Sequence, residues 1–384
     1  MSAPTNAPRL ASGGFSVIYS ATSQDAHYHL IKRRDTTLGW IALQNPPPAP
    51  ELATAKTRWQ SADSVLLPQL LSVGLARYAA HFVAAQAFYE AVLSGRECAD
   101  LLAAPPYFER YRHAFDILSS SYDAADGQQI ERIDFDAIKN QHVVAEELWM
   151  KASWLSYVEE DASLRFRFSF GMDGYEDVGA DFTREMHAAA LAEHVFPESA
   201  LIASNARLLD SLRQITGEPH LAFIERIIYF NAPNGGAQFH QDVEGVHLGI
   251  VFAQLTGRTA WLSLPKNRLV DEICRFLQNP AANKLMTRAK IKPAWRNALL
   301  SAALVPETIS AQLDSPEHAG LEKLINNVPE FFAQLVDHGY ANILNPGDVL
   351  LLPQHNMQHC TWHSVFCLDE HAGEALSFAV RAVP

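Results

Sequence analysis

Apolar and polar positions follow two different rhythms along this chain, and the rhythm changes near residue 221. Residues 61–95 are rich in Ala and Leu, with apolar positions recurring at helical spacing, and Ser61 or Asp63 is placed to cap the start. The spacing predicts further helices over 107–124, 136–160 and 180–215. Strict alternation marks Leu164 to Phe170 (LRFRFSF) as a strand. Before these, FSVIYSA, YHLIKRR and LGWIAL within residues 15–43 read as short strands after a flexible lead-in of 14 residues. Prolines at 46–50 close that segment, since consecutive prolines support neither helix nor sheet ladder.

From residue 221 strands dominate. FIERIIYF ends at the turn signal Asn-Ala-Pro-Asn-Gly-Gly, where Gly235 and Gly236 are expected to supply positive φ. Residues 247–264 read as two strands joined at Thr256-Gly257. Residues 267–338 are helix-like. Strands resume at ANIL, turn at Asn345-Pro346-Gly347-Asp348 and continue through VLLLP. TWHSVFCL and LSFAVRAV are expected to form a closing hairpin across DEHAGEA. The pattern predicts a mixed α+β chain: a mainly helical N-terminal region with a few strands at 1–214, then an antiparallel β unit at 215–384 with a helical insertion at about 267–338.

Composition narrows the function. The chain has 384 residues, which suggests about two to three domains. At 48% hydrophobic and 19% charged it is an ordinary globular sequence rather than a disordered one. A net charge of −13 argues against a broad nucleic-acid surface. No apolar run is long enough to span a membrane, and the first residues lack an apolar signal core. Four cysteines without a CxxC pair do not build a disulfide scaffold, so a reducing, cytoplasmic setting is expected. There is no GxSxG elbow, P-loop or strand-borne GxGxxG. Glu159 and Glu160 read as a solvated helix face, and His27 with His29 lacks the further ligands that would complete a metal set.

The chemistry is expected at His240-Gln241-Asp242. In an extended segment, residues i and i+2 share a face, which brings an imidazole and a carboxylate to one wall. Composition alone places about two His-x-acid triplets in such a chain, so the setting decides. Here the triplet follows a strand and a Gly-rich turn, and a His-rich segment comes later. With a distant histidine it would form a two-histidine, one-carboxylate facial triad for Fe(II), leaving open positions.

The stretch His240 to Pro265, HQDVEGVHLGIVFAQLTGRTAWLSLP, resembles the core of the JmjC/cupin-like oxygenases, most closely the factor-inhibiting-HIF asparaginyl hydroxylase type. NPGDVLLLP at 345–353 is similar to the element that precedes that family's distal ligand. The likeness covers roughly residue 222 to the end. It implies a double-stranded β-helix (jelly-roll) barrel, Fe(II), 2-oxoglutarate and O₂, with His240 and Asp242 as the first two metal ligands. With Asp242 intact, hydroxylation or desaturation is expected rather than halogenation.

For the third ligand His355, His359 and His363 compete. His359 and His363 share parity. A hairpin centred near Ala372 would pair 363 with 381, whereas 359 would need a partner beyond the chain end. This favours His363, with His359 as the alternate. The family type carries a lysine for 2-oxoglutarate two residues after the glycine of its FAQ-x-x-G motif; this chain has Thr259 there. Arg381 is the expected replacement, because the same count sets it beside His363; parity turns Arg258 away. Tyr229 could donate a hydrogen bond to the cosubstrate or simply pack in the core. Asn231 is expected to serve the turn, Gln254 to reach the pocket, His247 to pack or touch substrate, and Trp261 and Trp362 to belong to the core.

The expected activity is therefore Fe(II)- and 2-oxoglutarate-dependent oxygenation of a small molecule or peptide, with neither nucleic acid nor membrane as partner. Flanking helices offer a surface for a homodimer. Two alternatives stand beside it: a cupin-type metal enzyme that does not use 2-oxoglutarate, and a barrel that binds without catalysis.

Overall fold

The computed structural model describes residues 28–33, 36–42, 47–156, 161–172, 181–233, 235–245, 247–315 and 318–383, the first two stretches as backbone. The lead-in, the FSVIYSA run, His27, Glu159 and Glu160 lie outside the described residues. The first strands, β1 (Tyr28–Arg33) and β2 (Thr36–Ala42), pair antiparallel with each other.

The remaining strands form one large antiparallel system. In chain order they are β3 (Val65–Leu67), β4 (Phe115–Ser121), β5 (Gln129–Lys139), β6 (His142–Trp154), β7 (Leu164–Phe170), β8 (Leu221–Asn231), β9 (His247–Gln254), β10 (Thr259–Pro265), β11 (Ala341–Leu344), β12 (Val349–Asn356), β13 (His359–Cys367) and β14 (Gly373–Ala382). Their order is β11-β10-β13-β12-β9-β14-β8-β7-β6-β5-β4, with β3 added on β12. β12 meets β13 only beside their connecting turn, at Gln354↔Cys360 and Asn356↔His359. The path bends there, so β10, β11 and β13 form one short layer. The strands from β12 through β9 and β14 to β8 and beyond form the long one. The functional cavity lies between these two layers.

The N-terminal half departs from the expected helices. Helices do occupy Ala79–Leu93, Phe182–Val195 and Ala206–Thr216. But 107–124 holds only a short helix, Tyr107–Tyr111, before β4, and 136–160 is largely β5 and β6. Along β5 burial alternates strictly, with Glu131, Ile133, Phe135 and Ala137 inward, a two-residue period that no helix produces. β5 and β6 are joined at Asn140 and Gln141, both at positive φ (52° and 63°), the conformation of a tight hairpin turn. The Ala, Glu, Leu, Met and Lys residues of β6 favour a helix in isolation. Pairing with β5 on one side and β7 on the other overrides that preference. The sheet also runs across the expected boundary at 214/215, because β7 pairs with β8.

The helical insertion forms as expected. Six helices run from Lys266–Gln278 to Pro329–Asp337 among the described residues. They cover the outer side of the short layer: Ala260, Leu262, Leu264, Trp362 and Phe366 pack with Leu269, Ile273, Leu324 and Phe332. Parity then turns Trp261, His363 and Val365 to the inner side. On the long layer, Phe166, Phe168 and Phe230 meet the N-terminal helices, where Tyr89 stacks on Phe230 with centroids 4.7 Å apart. The alternate residues Arg165, Tyr229 and Asn231 face the cavity. No helix among the described residues is long and apolar enough to cross a membrane.

Candidate metal centre

His240 sits in an extended segment that leaves β8 through the Gly235-Gly236 turn and lies against β13. His240 and His363 exchange both backbone hydrogen bonds, 3.0 Å from N of His240 to O of His363 and 2.9 Å in return. Val365 N donates to Ala237 O (2.9 Å), extending the same pairing. Gly236 makes this approach possible. Its φ is +121°, and a Cβ there would lie 2.1 Å from the Val365 carbonyl oxygen. Gly235 does not share the positive φ; it is crowded instead by Asp161 and Ser163.

The pairing brings the two imidazoles together, with ring centroids 4.2 Å apart. Asp242, two residues on, joins them. Its Oδ1 is 3.4 Å from His240 Nε2 and its Oδ2 is 3.4 Å from His363 Nε2. One donor atom from each of the three lies within 4.8 Å of the others. His240 Nδ1 is 2.6 Å from the Gln238 carbonyl oxygen, a contact that fixes the ring and leaves Nε2 toward Asp242.

Electrostatics suit a ligand set. Burial alone would raise the Asp242 carboxyl, but the His240 and His363 rings outweigh it and hold it below the usual carboxylate range. Burial, reinforced by His240 and opposed by Asp242, pushes the His363 ring down to about 3. That ring is neutral near pH 7 and has a lone pair to offer. Two imidazoles and one carboxylate, open on the cavity side, match the donor set that Fe(II) takes with positions left for other ligands.

The three residues line a cavity of about 520 Å³. Its apolar wall is Ile250, Phe252, Leu352 and Trp261, and Trp261 lies nearly parallel to the His363 ring at 5.2 Å. Trp261 is therefore both core and cavity wall. Tyr229, Arg165 and Ser377 line the same space, as does Asn231. Burial pushes the Tyr229 hydroxyl up to about 12, against the pull of Arg165, so it remains a hydrogen-bond donor. The lining also includes Gln128, Leu155 and Ser156, just outside the ends of β5 and β6, and Glu322 from the insertion.

The other sequence-selected residues lie elsewhere. His359 is exposed, with Nε2 2.9 Å from the Gln60 carbonyl oxygen. It shares parity with His363 but stands four residues away, roughly 13 Å along a strand. His355 packs edge-on against Trp59. Trp362 packs under the insertion. Thr259 is buried outside the cavity lining, donating to Gln254 Oε1 (2.7 Å) and accepting from Trp261 Nε1 (3.0 Å). Gln254, expected at the pocket, instead clamps the β9–β10 turn through Thr256 O (2.7 Å).

The closing hairpin does not form. β13 pairs with β10 and β12, whereas β14 pairs with β8 and β9. The connecting loop is tied to the β9–β10 turn: Leu368 N donates to Arg258 O, Arg258 Nε pairs with Asp369 at 3.0 Å, and Gly373 packs on Gly257. These contacts carry the chain from the short layer to the long one. Arg381 consequently sits opposite Ala222 and His247 rather than beside His363, and it does not line the cavity. The count that favoured His363 rested on a pairing that is absent.

Sequence reasoning missed Arg165. Its signal was the LRFRFSF alternation, in which the phenylalanines take the helix-covered face and the arginines are left for the other. A second potential ligand group, Glu225, Glu244 and His247, adjoins the cavity, with Arg167 already paired to Glu225 at 3.4 Å.

No protein-family model matches the chain, and no curated protein sequence matches it. Among solved structures, an oxidoreductase of the 2OG-Fe(II) oxygenase family from Burkholderia pseudomallei is 10% identical, over 88% of this chain and 94% of that one, with a TM-score of 0.33. Escherichia coli ycfD is 14% identical over 89% of this chain and 55% of its own, with a TM-score of 0.29. A second structure of it, described as a ribosomal oxygenase, gives 14% identity over 73% and 44%, with a TM-score of 0.24. The chain thus spans about half the length of the two E. coli structures. Overlays at these scores establish no shared fold, so the reading below stands on the site itself.

Proposed function

We propose that this chain is a non-haem Fe(II) oxygenase that uses 2-oxoglutarate and O₂ to hydroxylate or desaturate a small-molecule or peptide substrate, on a double-stranded β-helix barrel. The observation that carries this reading is the meeting of His240, Asp242 and His363, with donor atoms within 4.8 Å of one another, at the wall of a cavity of about 520 Å³. Those three residues would hold the metal. Bound there, iron with 2-oxoglutarate supplies oxidation of a C–H bond by O₂, with 2-oxoglutarate consumed to succinate and CO₂.

The chain's own residues orient and enclose. The contact of His240 Nδ1 with Gln238 O holds one ring. The two-bond bridge between His240 and His363 fixes the spacing of the rings. Trp261, Phe252 and Ile250 keep the inner wall apolar and exclude water. Glu322 of the insertion and Gln128, Leu155 and Ser156 beside β5 and β6 line the cavity too, and they would help to select substrate.

The test is release of succinate from 2-oxoglutarate in air with added Fe(II). Slow turnover without prime substrate is expected, and it should vanish in His240→Ala. Succinate release that persists in that variant contradicts the assignment. Tight iron binding with no succinate under any condition would favour a metal enzyme that does not use 2-oxoglutarate.

A further inference from the structure

One end of the cavity is lined from β7 and β8, outside the segments that carry the metal-ligand candidates. Arg165 on β7 lies opposite Tyr229 on β8, and both side chains face the cavity. Among the described residues Arg165 has no carboxylate partner. Other arginines of the sheet and its turns differ: Arg167 pairs with Glu225, Arg258 with Asp369 and Arg226 with Glu185. A half-buried guanidinium that faces a cavity without a carboxylate partner is suited to receive an anion.

A second donor sits close by in the register. Asn231, two residues beyond Tyr229 on the same face, is only 3% exposed, and its Nδ2 has no hydrogen-bond partner. A buried amide left unsatisfied costs about 1–3 kcal/mol unless a ligand accepts from it. Meanwhile the other positions weighed from sequence for this role do not reach the cavity. Thr259 is held by Gln254 and Trp261, Arg258 by Asp369, and Arg381 lies with His247 at the far end of β14.

We propose that Arg165, with the Asn231 amide beside it, anchors the carboxylate of 2-oxoglutarate that is remote from the metal. This rests on the proposed function. The planar guanidinium fork matches a carboxylate in two parallel hydrogen bonds, and the amide adds a third donor. The anchor comes from β7, a strand outside the unit that carries the metal-ligand candidates, so the N-terminal half helps to build the cosubstrate site.

The experiment is calorimetric binding to the full chain loaded with Mn(II), using 2-oxoglutarate and, as a probe without the remote carboxylate, 2-oxopentanoate. In Arg165→Met, 2-oxoglutarate should weaken by about 10- to 100-fold, the loss of a charge-assisted pair. Binding of 2-oxopentanoate and of Mn(II) should be unchanged, and Arg165→Lys should recover part of the loss. Asn231→Ala should weaken 2-oxoglutarate alone to a lesser degree. Unchanged 2-oxoglutarate binding in Arg165→Met, or equal weakening of both probes, overturns the anchor and leaves the proposed function standing. Wild-type protein that takes Mn(II) but neither 2-oxoacid overturns both.

Discussion

His240 and His363 are 123 positions apart in sequence, yet each donates its backbone N–H to the other's carbonyl, at 3.0 and 2.9 Å. This bridge sets the separation of the rings before any metal arrives. The site is therefore built by sheet pairing rather than by loop closure, and the metal should enter a preformed set. Removing either ring should weaken metal binding by more than the roughly 10- to 100-fold typical of losing an outer partner. His359→Ala should bind metal like the wild type, because His359 contacts Gln60 at the surface. Metal titration of the three variants checks this. A loss in His359→Ala equal to that in His363→Ala would contradict the geometry.

Gly236 controls the same bridge from outside it. A side chain there would meet the Val365 carbonyl oxygen at 2.1 Å, on the strand that carries His363. Gly236→Ala must push the two segments apart or strain the backbone, at a cost of about 1–3 kcal/mol. Both a lower Tm and weaker metal binding are expected. Weakened stability with metal affinity intact would show that the segment relaxes without moving His240.

Behind the sheet, Arg226 on β8 pairs with Glu185 of the helix Phe182–Val195, and both are almost fully buried. Removing one partner strands a buried charge. Glu185→Ala should cost about 3–5 kcal/mol in denaturant unfolding, whereas Glu185→Leu with Arg226→Met should recover most of it. A single variant within about 1 kcal/mol of the wild type would show that water reaches the pair.

Glu198 and Glu374 are each 1% exposed and lie close enough in the core to influence one another, near Tyr107 and Arg110. Burial pushes Glu198 up to about 7, and burial with the neighbouring Glu198 raises Glu374 well above its ordinary value. A carboxyl with a raised folded pKa stabilises the fold in its neutral form. That contribution is full below the unfolded value near 4.5 and is lost as pH rises through 7 and beyond. Glu374→Gln should therefore raise Tm at pH 8 and change it little at pH 4.5, flattening the profile. Parallel wild-type and variant curves would refute the raised carboxyl pair.

The strands from Leu221 onward were legible because turn chemistry and two-residue alternation agree there. The helical insertion was legible as a helix-like stretch between two runs of strands, though not its division into six helices. β5 and β6 were not, since β6 is written in helix-favouring residues and its turn, Asn140-Gln141, lacks the glycine that usually marks a hairpin. His240, Asp242 and His363 could be selected from spacing and resemblance, but the hairpin used to choose His363 does not exist. Strand neighbours in a bent sheet are set by long-range pairing, here by Arg258–Asp369 and Gly257–Gly373, and local sequence does not encode them. The same limit hid Arg165, whose partner strand begins 56 residues later.

The central claim is that His240, Asp242 and His363 hold iron with room for 2-oxoglutarate beside it. Anaerobic Fe(II) titration of the full chain with 2-oxoglutarate, followed in the visible region, tests it most directly. The expected result is a charge-transfer band that needs both metal and cosubstrate, and that is lost in His363→Ala and retained in His359→Ala. A wild-type protein that binds no iron, or a band that survives in His363→Ala, would contradict it.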